Sequence, residues 1–319
     1  MSICTTCPYC GVGCGIKTDG VTLQGDMQHP ANAGRLCVKG SSVLETLGDQ
    51  DRLLQPQVNG EGVSWDRALD EVAERFRRIV EEHGPDAVAF YVSGQLLTED
   101  YYVANKLMKG FIGSANIDTN SRLCMSSAVV AHKRAFGEDV VPGCYEDLEL
   151  ADLVILTGSN TAWAHPIVYQ RIAAAKQARP HMKVVVIDPR RTATCDLADL
   201  HLAIRPGQDV PLFNGLLTWL DDHNGLDRDY IHAHTEGFAA TLATAREQGN
   251  DWATLAEQLG VSQEDLTTFY DWFAACDRTV TVFSQGVKDP EHAHPVAIFP
   301  VGHAGEIGEG PSGGPAGQI

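Results

Sequence analysis

Five of the nine cysteines fall within the first 37 residues, at positions 4, 7, 10, 14 and 37, and this crowding constrains the chain more than any other feature. Cys4, Cys7, Cys10 and Cys14 read CxxCxxCxxxC, and Cys37 follows after a further 22 residues. In a reducing compartment, thiols this close together serve a metal rather than disulfides. Glycines at positions 11, 13 and 15 let the backbone curl and aim sulfurs inward, as a [4Fe-4S] cube held by four thiolates requires. Zinc is the alternative, but structural zinc favours paired knuckles, and Cys37 has no cysteine or histidine at knuckle spacing. The bacterial two-cluster ferredoxin run ends in Cys-Pro and needs a second such run. Here Gly15 follows Cys14, and no second run exists. An iron-sulfur site is the expectation, with Cys4 as the spare thiol.

The remainder reads as a globular chain with material for two domains: 44% of residues are hydrophobic and 21% charged. A formal net charge of -18 argues against nucleic acid and anionic membrane surfaces as partners. The opening Met1-Ser2-Ile3-Cys4 has no basic or apolar targeting region, and no apolar run reaches the length of a membrane span. The expected location is the cytoplasm.

Residues 1–57 lack regular periodicity, and Pro56 with Gly60-Glu61-Gly62 marks a turn. The expected organisation is a [4Fe-4S] domain over 1–57 and a larger domain over 58–319, divided into 58–142 and 143–287. Ser64 caps an expected helix whose apolar positions Trp65, Leu69, Val72, Phe76 and Ile79 recur at helical spacing up to Gly84. A buried strand over 87–92, a helix over 99–111 and another from Cys124 follow. Beyond Gly143 strand and helix alternate: strand 153–157, helix 166–178, strand 183–187, a possible strand at 201–204, helices over 210–221, 251–259 and 263–275, and strand 279–283. This alternation predicts an α/β fold with a doubly wound parallel sheet. From Gly302 to Ile319 seven residues are glycine and no period survives, so 288–319 reads as an atypical, unfolded tail. The pair His292 and His294 reads as a loop feature, and no HExxH or Cys-His-acid arrangement emerges.

Cys7-Pro8-Tyr9-Cys10-Gly11-Val12-Gly13-Cys14-Gly15, followed by Gly34-Arg35-Leu36-Cys37-Val38-Lys39-Gly40, resembles the opening of the bis-molybdopterin guanine dinucleotide oxidoreductases. Ser64-Trp65-Asp66, the stretch 113–122, Gly158-Ser159-Asn160, His165-Pro166 and Asp188-Pro189-Arg190 continue the resemblance to about residue 287. It implies that Cys7, Cys10, Cys14 and Cys37 hold the cluster and that Lys39 is an electron-relay contact between cluster and pterin. It also implies that Cys124 binds molybdenum, for which a soft thiolate is suited. Formate dehydrogenases of the family place a histidine after this cysteine. Met125 stands here instead, similar to the nitrate reductases, and 93–102, 118–120 and 143–147 resemble the assimilatory branch most closely.

The resemblance thus implies reduction of nitrate to nitrite by oxygen-atom transfer to molybdenum, with electrons from ferredoxin or a nicotinamide-linked donor protein. Arg122, Lys133 and Arg134 are candidates to offset the charge of nitrate. Gly158, Ser159 and Asn160 lie after a strand and before a helix, where N–H groups and the helix dipole attract pyrophosphate. Asp188, Pro189 and Arg190, and Gly207, Gln208 and Asp209, are the other two loops expected to contact the dinucleotide. A formate dehydrogenase-type enzyme and a non-catalytic iron-sulfur fragment are the alternatives. The family's chains run much longer, and the pattern is lost from Lys288 onward, which suggests a truncated or frame-changed end.

Overall fold

The structure is a computed structural model that describes residues 2–248 and 251–287. The segment 288–319, with His292, His294 and the Gly-rich tail, lies outside the described residues. The chain forms two compact units, Met1–Cys124 and Met125–Ile319.

The first unit opens with an antiparallel sheet of β1 (Ile3–Thr6), β2 (Gly15–Thr18) and β3 (Leu23–Gly25). A short helix α1 (Val38–Ser41) and a two-stranded ribbon of β4 (Gln57–Val58) and β5 (Glu61–Gly62) follow. Helix α2 (Trp65–His83) begins and ends where the sequence places it. The Ser64 hydroxyl accepts from the Arg67 N–H at 3.3 Å, and Gly84 leaves the helix at φ 85°. The strand expected over 87–92 is shorter: Pro85–Ala87 form a 3-10 turn, and β6 covers Phe90–Val92. The helix expected over 99–111 is α3 (Thr98–Asn105), which widens into a π-helical stretch over Lys106–Ile112 and stops at Gly113 in the left-handed conformation. Strand β7 (Ile117–Thr119) pairs in parallel with β6, and α4 (Ser121–Cys124) closes the unit.

The second unit contains α5 (Ser126–Phe136), α6 (Tyr145–Leu150), β8 (Leu153–Thr157), α7 (Thr161–Ala164), α8 (Pro166–Ala178), β9 (Lys183–Ile187) and β10 (Leu200–Leu202). It continues with α9 (Asp209–Asp222), α10 (Arg228–His234), α11 (Phe238–Gln248), α12 (Trp252–Leu259), α13 (Gln263–Ala275) and β11 (Thr279–Phe283). The four strands form one parallel sheet in the order β10-β9-β8-β11. Period-two alternation explains the core. Leu153, Ile155, Val185 and Ile187 face a cluster with α9, α12 and α13, while Val154, Leu156, Val184 and Val186 face one with α6 and α8. Each fully buried leucine or isoleucine contributes about 1.5–3 kcal/mol. The helices α10 and α11 go beyond the sequence expectation, although Phe238, Leu242 and the buried Ala245 recur at helical spacing in α11. The Asp227 carboxylate caps the first by accepting from the Tyr230 N–H at 2.8 Å.

The topology fixes where a ligand can sit. From β8 the chain winds outward to β9 and β10, then returns to place β11 on the other side of β8. The carboxyl ends of β8 and β11 therefore flank the switch point, the crevice in which doubly wound sheets bind ligands.

Candidate cluster site and dinucleotide cleft

Three of the four cysteines implied as ligands lie in the loop of the β1–β2 hairpin. Cys7 follows β1 and Cys14 precedes β2, and the Cys7 N–H donates to the Cys14 carbonyl at 2.8 Å, closing the loop. Within it, the Gly13 N–H donates to the Cys10 carbonyl at 3.1 Å while Gly13 adopts φ 60°. Cys37 arrives from the segment beyond β3 as the residue before α1. Cys7 and Cys14 are buried and Cys10 and Cys37 half-buried, whereas Cys4 is exposed on β1.

The four thiols lie within electrostatic range of one another. Burial pushes the Cys7 thiol up, and the charges of Cys10 and Cys37 add to the effect, against a lowering by the Tyr9 backbone and by Lys39. Cys14 is pushed up to about 12, first by burial and then by Cys10, Cys7 and Cys37. A cationic iron core reverses both causes, because it replaces the lost solvation and screens the sulfurs from one another. Among the described residues, no group of three or more His, Cys, Asp or Glu side chains is placed to hold a single metal ion. Four thiols gathered so that their charges raise the proton affinity of the buried Cys7 and Cys14 suit a thiolate-held metal centre such as an iron-sulfur cube. Lys39 is exposed on α1 and acts on Cys7 through its charge.

The loop after β6 lies against the cysteine loop. A Cβ on Gly11 would stand 3.4 Å from the Leu96 carbonyl oxygen, and one on Gly13 would stand 3.9 Å from the Leu97 side chain. Gly94 in turn donates its N–H to Asn120 Oδ1 at 3.1 Å, and Asn120 accepts the Cys124 N–H on its carbonyl at 3.2 Å. A continuous path of contacts thus joins the cysteine loop to α4. Cys124 and Arg122 are exposed on that helix, and Met125 is half-buried at the break before α5. Lys133 and Arg134 lie exposed in the last turn of α5.

At the switch point of the second unit, a cleft of about 180 Å³ is lined by Gly158, Asp188, Pro189, Arg190, Gly207 and Asp209, all expected from sequence. The backbone is drawn tight here. Gly158 has φ 54°, and a Cβ on it would stand 2.7 Å from the Val287 nitrogen. Gly286 donates its N–H to the Gly158 carbonyl at 3.0 Å. Asp188 is buried, its Oδ1 accepts the Arg190 N–H at 2.8 Å, and its carbonyl meets His201 Nε2 at 2.9 Å. Burial pushes the Asp209 carboxyl up and the charge of Asp188 adds to it, while its own backbone N–H and Thr157 oppose. The Thr157 hydroxyl is buried beside that carboxyl and makes no well-formed hydrogen bond to any other described group.

Three of the expected contacts do not line the cleft. Ser159 is buried and bonds Thr161 and Ser284 through its hydroxyl, at 2.8 and 3.0 Å. Asn160 accepts from Thr194, and Gln208 accepts from Gln258. Conversely, Ile204, Arg205, Pro206, Val210, Gly286 and Val287 line it without a distinguishing pattern in sequence. The one available signal is that Gly286-Val287 follows an apolar strand within a few residues, as Gly158 follows β8 directly.

Residues 52–269 match the molybdopterin oxidoreductase family, and residues 1–48 match the molybdopterin oxidoreductase Fe4S4 domain. The chain is 55% identical to a nitrate reductase of Klebsiella oxytoca over 89% of its own length and 33% of that protein. It is 49% identical to a nitrate reductase of Shewanella frigidimarina over 96% of this chain and 34% of that one. A periplasmic nitrate reductase of Desulfovibrio desulfuricans is 46% identical over 88% of this chain and 40% of that one. The chain thus spans between a third and two fifths of the length of these curated relatives. Its fold is similar to that of acetylene hydratase from Pelobacter acetylenicus, with a TM-score of 0.70 at 22% identity, covering 89% of this chain and 40% of that one. With the cysteine loop and the switch-point cleft in place, the chain belongs to the molybdopterin oxidoreductase family, whose two domains imply a [4Fe-4S] cluster and a molybdopterin cofactor.

Proposed function

We propose that the chain carries the cluster domain and the first cofactor-binding domain of a nitrate reductase of the assimilatory, cytoplasmic type. The observation that carries this reading is Cys124-Met125 at the break between α4 and α5. A soft thiolate suits molybdenum, and the methionine leaves no proton acceptor of the kind that formate oxidation uses. The relatives named nitrate reductase support nitrate as the substrate, while the assimilatory, cytoplasmic part of the reading rests on the resemblance of residues 93–102, 118–120 and 143–147 to that branch. No helix among the described residues is long and apolar enough to cross a membrane.

When bound, the metal cofactors supply electron relay and two-electron oxygen-atom transfer. The chain's residues do the rest. Cys7, Cys10, Cys14 and Cys37 hold the cluster, and Lys39 places a positive charge beside Cys7. Gly158, Asp188, Pro189, Arg190, Gly207 and Asp209 hold a guanine dinucleotide in the cleft, with Ser159, Asn160 and Gln208 fixing the loops behind them. Cys124 offers its thiolate to molybdenum, and the cation of Arg122 on the same helix draws in nitrate. Ferredoxin or a nicotinamide-linked protein is the donor.

Metal analysis and assay of anaerobically purified protein test this reading. Iron near about four and molybdenum near about one per chain, with nitrite formed from nitrate by a reduced dye, are expected. Formate-dependent dye reduction without nitrate activity would reverse the substrate, and iron without molybdenum would leave an electron-transfer module only.

A further inference from the structure

The cluster site is assembled from two segments. The hairpin loop carrying Cys7, Cys10 and Cys14 is fixed by its own ladder, with Thr6 opposite Gly15. The segment 26–37 that delivers Cys37 has no regular secondary structure up to α1. Something must hold it in register with the hairpin, because four sulfurs must meet one cube at once.

Asn32 is placed to do this. Its side chain is fully buried, with 0% of the residue exposed. Its Oδ1 accepts the Gly15 N–H at 2.8 Å, and its Nδ2 donates to the Gly15 carbonyl at 3.0 Å and to the Arg35 carbonyl at 2.7 Å. One amide thus grips both backbone groups of the residue after Cys14 and the carbonyl two residues before Cys37. Three different bonds fix the orientation of the amide, because only Nδ2 can face two carbonyls. Neighbouring contacts press the same segment home. The Asp26 N–H donates to the Gly15 carbonyl at 2.9 Å, and a Cβ on Gly25 would stand 2.1 Å from the Gly34 carbonyl oxygen. Gly15 itself admits no side chain, since a Cβ would stand 2.4 Å from the His29 ring.

We propose that Asn32 is a positioning residue for the iron-sulfur cluster, setting the distance and register between Cys14 and Cys37. Other side chains at this position fail for distinct reasons. Aspartate sets a carboxylate oxygen against two carbonyl oxygens, and leucine takes the partner from the buried Gly15 N–H, removes the donor to the Arg35 carbonyl and leaves the Gly15 carbonyl to Asp26 alone. Neither change touches a cysteine.

The test compares Asn32→Asp and Asn32→Leu with Thr18→Val in the whole protein. The Thr18 hydroxyl donates to the Thr22 carbonyl at 2.6 Å in the same sheet, at the end of β2 away from Cys7, Cys10 and Cys14. It reports what losing a side-chain-to-backbone bond costs the sheet alone. Iron per chain, the electron paramagnetic resonance spectrum of the reduced protein and the cluster's midpoint potential are measured, with circular dichroism to confirm folding. Both Asn32 variants are expected to hold less than half the iron of the parent, or to keep it with an altered spectrum and a shifted potential, while Thr18→Val keeps the parent's iron and spectrum. The proposal is overturned if the Asn32 variants keep iron, spectrum and potential unchanged. Equal iron loss in Thr18→Val overturns it as well, because the effect then belongs to sheet stability.

Discussion

The two units secure their sites by opposite means. In the second, β8 beneath the cleft is buried throughout and β9 at four of its five positions, so the loops that form the cleft rest on a core. In the first, the cysteine loop rests on a three-stranded sheet whose outer strand β1 is exposed throughout, and α2 has no buried residue. Here two buried thiols and one buried amide occupy the centre, and the missing cohesion is what a bound cluster contributes. The contrast predicts that the cleft keeps its shape without its ligand and that the cluster loop does not.

The largest effect that can break this contrast is on iron. Cys14→Ala should take the chain from about four irons toward none, while Cys4→Ser, at an exposed thiol, leaves the iron unchanged by metal analysis. Because Cys14 sits at about 12 and Cys7 above its ordinary value, cluster assembly displaces protons. Iron retention in competition with a chelator should therefore strengthen as pH rises toward that range. Equal iron in both variants, or retention independent of pH, would remove the cluster from this loop.

Next comes the core of the second unit. Leu156→Ala empties a fully buried position of β8 and should cost about 2–5 kcal/mol in urea unfolding. If the units are secured independently, the cluster spectrum of this variant stays that of the parent. A spectrum that collapses with the core would show that one scaffold serves both sites.

Gly158→Ala follows, at about 1–3 kcal/mol for a left-handed residue whose Cβ meets backbone, here the Val287 nitrogen at 2.7 Å. Molybdenum per chain should fall while iron holds. Loss of neither would mean that the switch-point cleft is not where the cofactor is gripped.

How far the sequence discloses each unit follows from the same contrast. Strands β8, β9 and β11 and helices α8 and α13 are legible to the residue, because each is a continuous apolar run or an apolar period bounded by turn residues. The cysteine spacing is equally legible, since the chemistry of a cube restricts it. Asn32 is not: an asparagine between two alanines has no period and no partner in sequence, and its meaning lies in Gly15, 17 positions away. The grip of Gly286 on Gly158 is hidden for the same reason, as two glycines ending different strands are ordinary turn chemistry until the sheet sets them side by side. The π-helical stretch after α3 escapes because an apolar spacing suited to 3.6 residues per turn does not reveal a local widening.

The smallest effect separates stability from function within the cleft itself. Burial holds the Asp209 carboxyl above the ordinary carboxylate range, with Asp188 adding its charge. The folded chain therefore binds this proton more tightly than the unfolded one. The stability it contributes is complete below the unfolded value and is lost as pH rises through the folded value. Asp209 stands at the first position of α9 and faces the cleft, where ionising it costs the fold stability. Asp209→Asn should raise the thermal midpoint of the cofactor-free protein by about 2 °C at pH 7 and by less near pH 4, while the molybdenum-loaded fraction falls. A rise in stability together with lost molybdenum would support the proposed role of this carboxylate in holding the cofactor. Unchanged midpoints with unchanged molybdenum would place Asp209 among solvated surface charges and leave Asp188 to hold the dinucleotide alone.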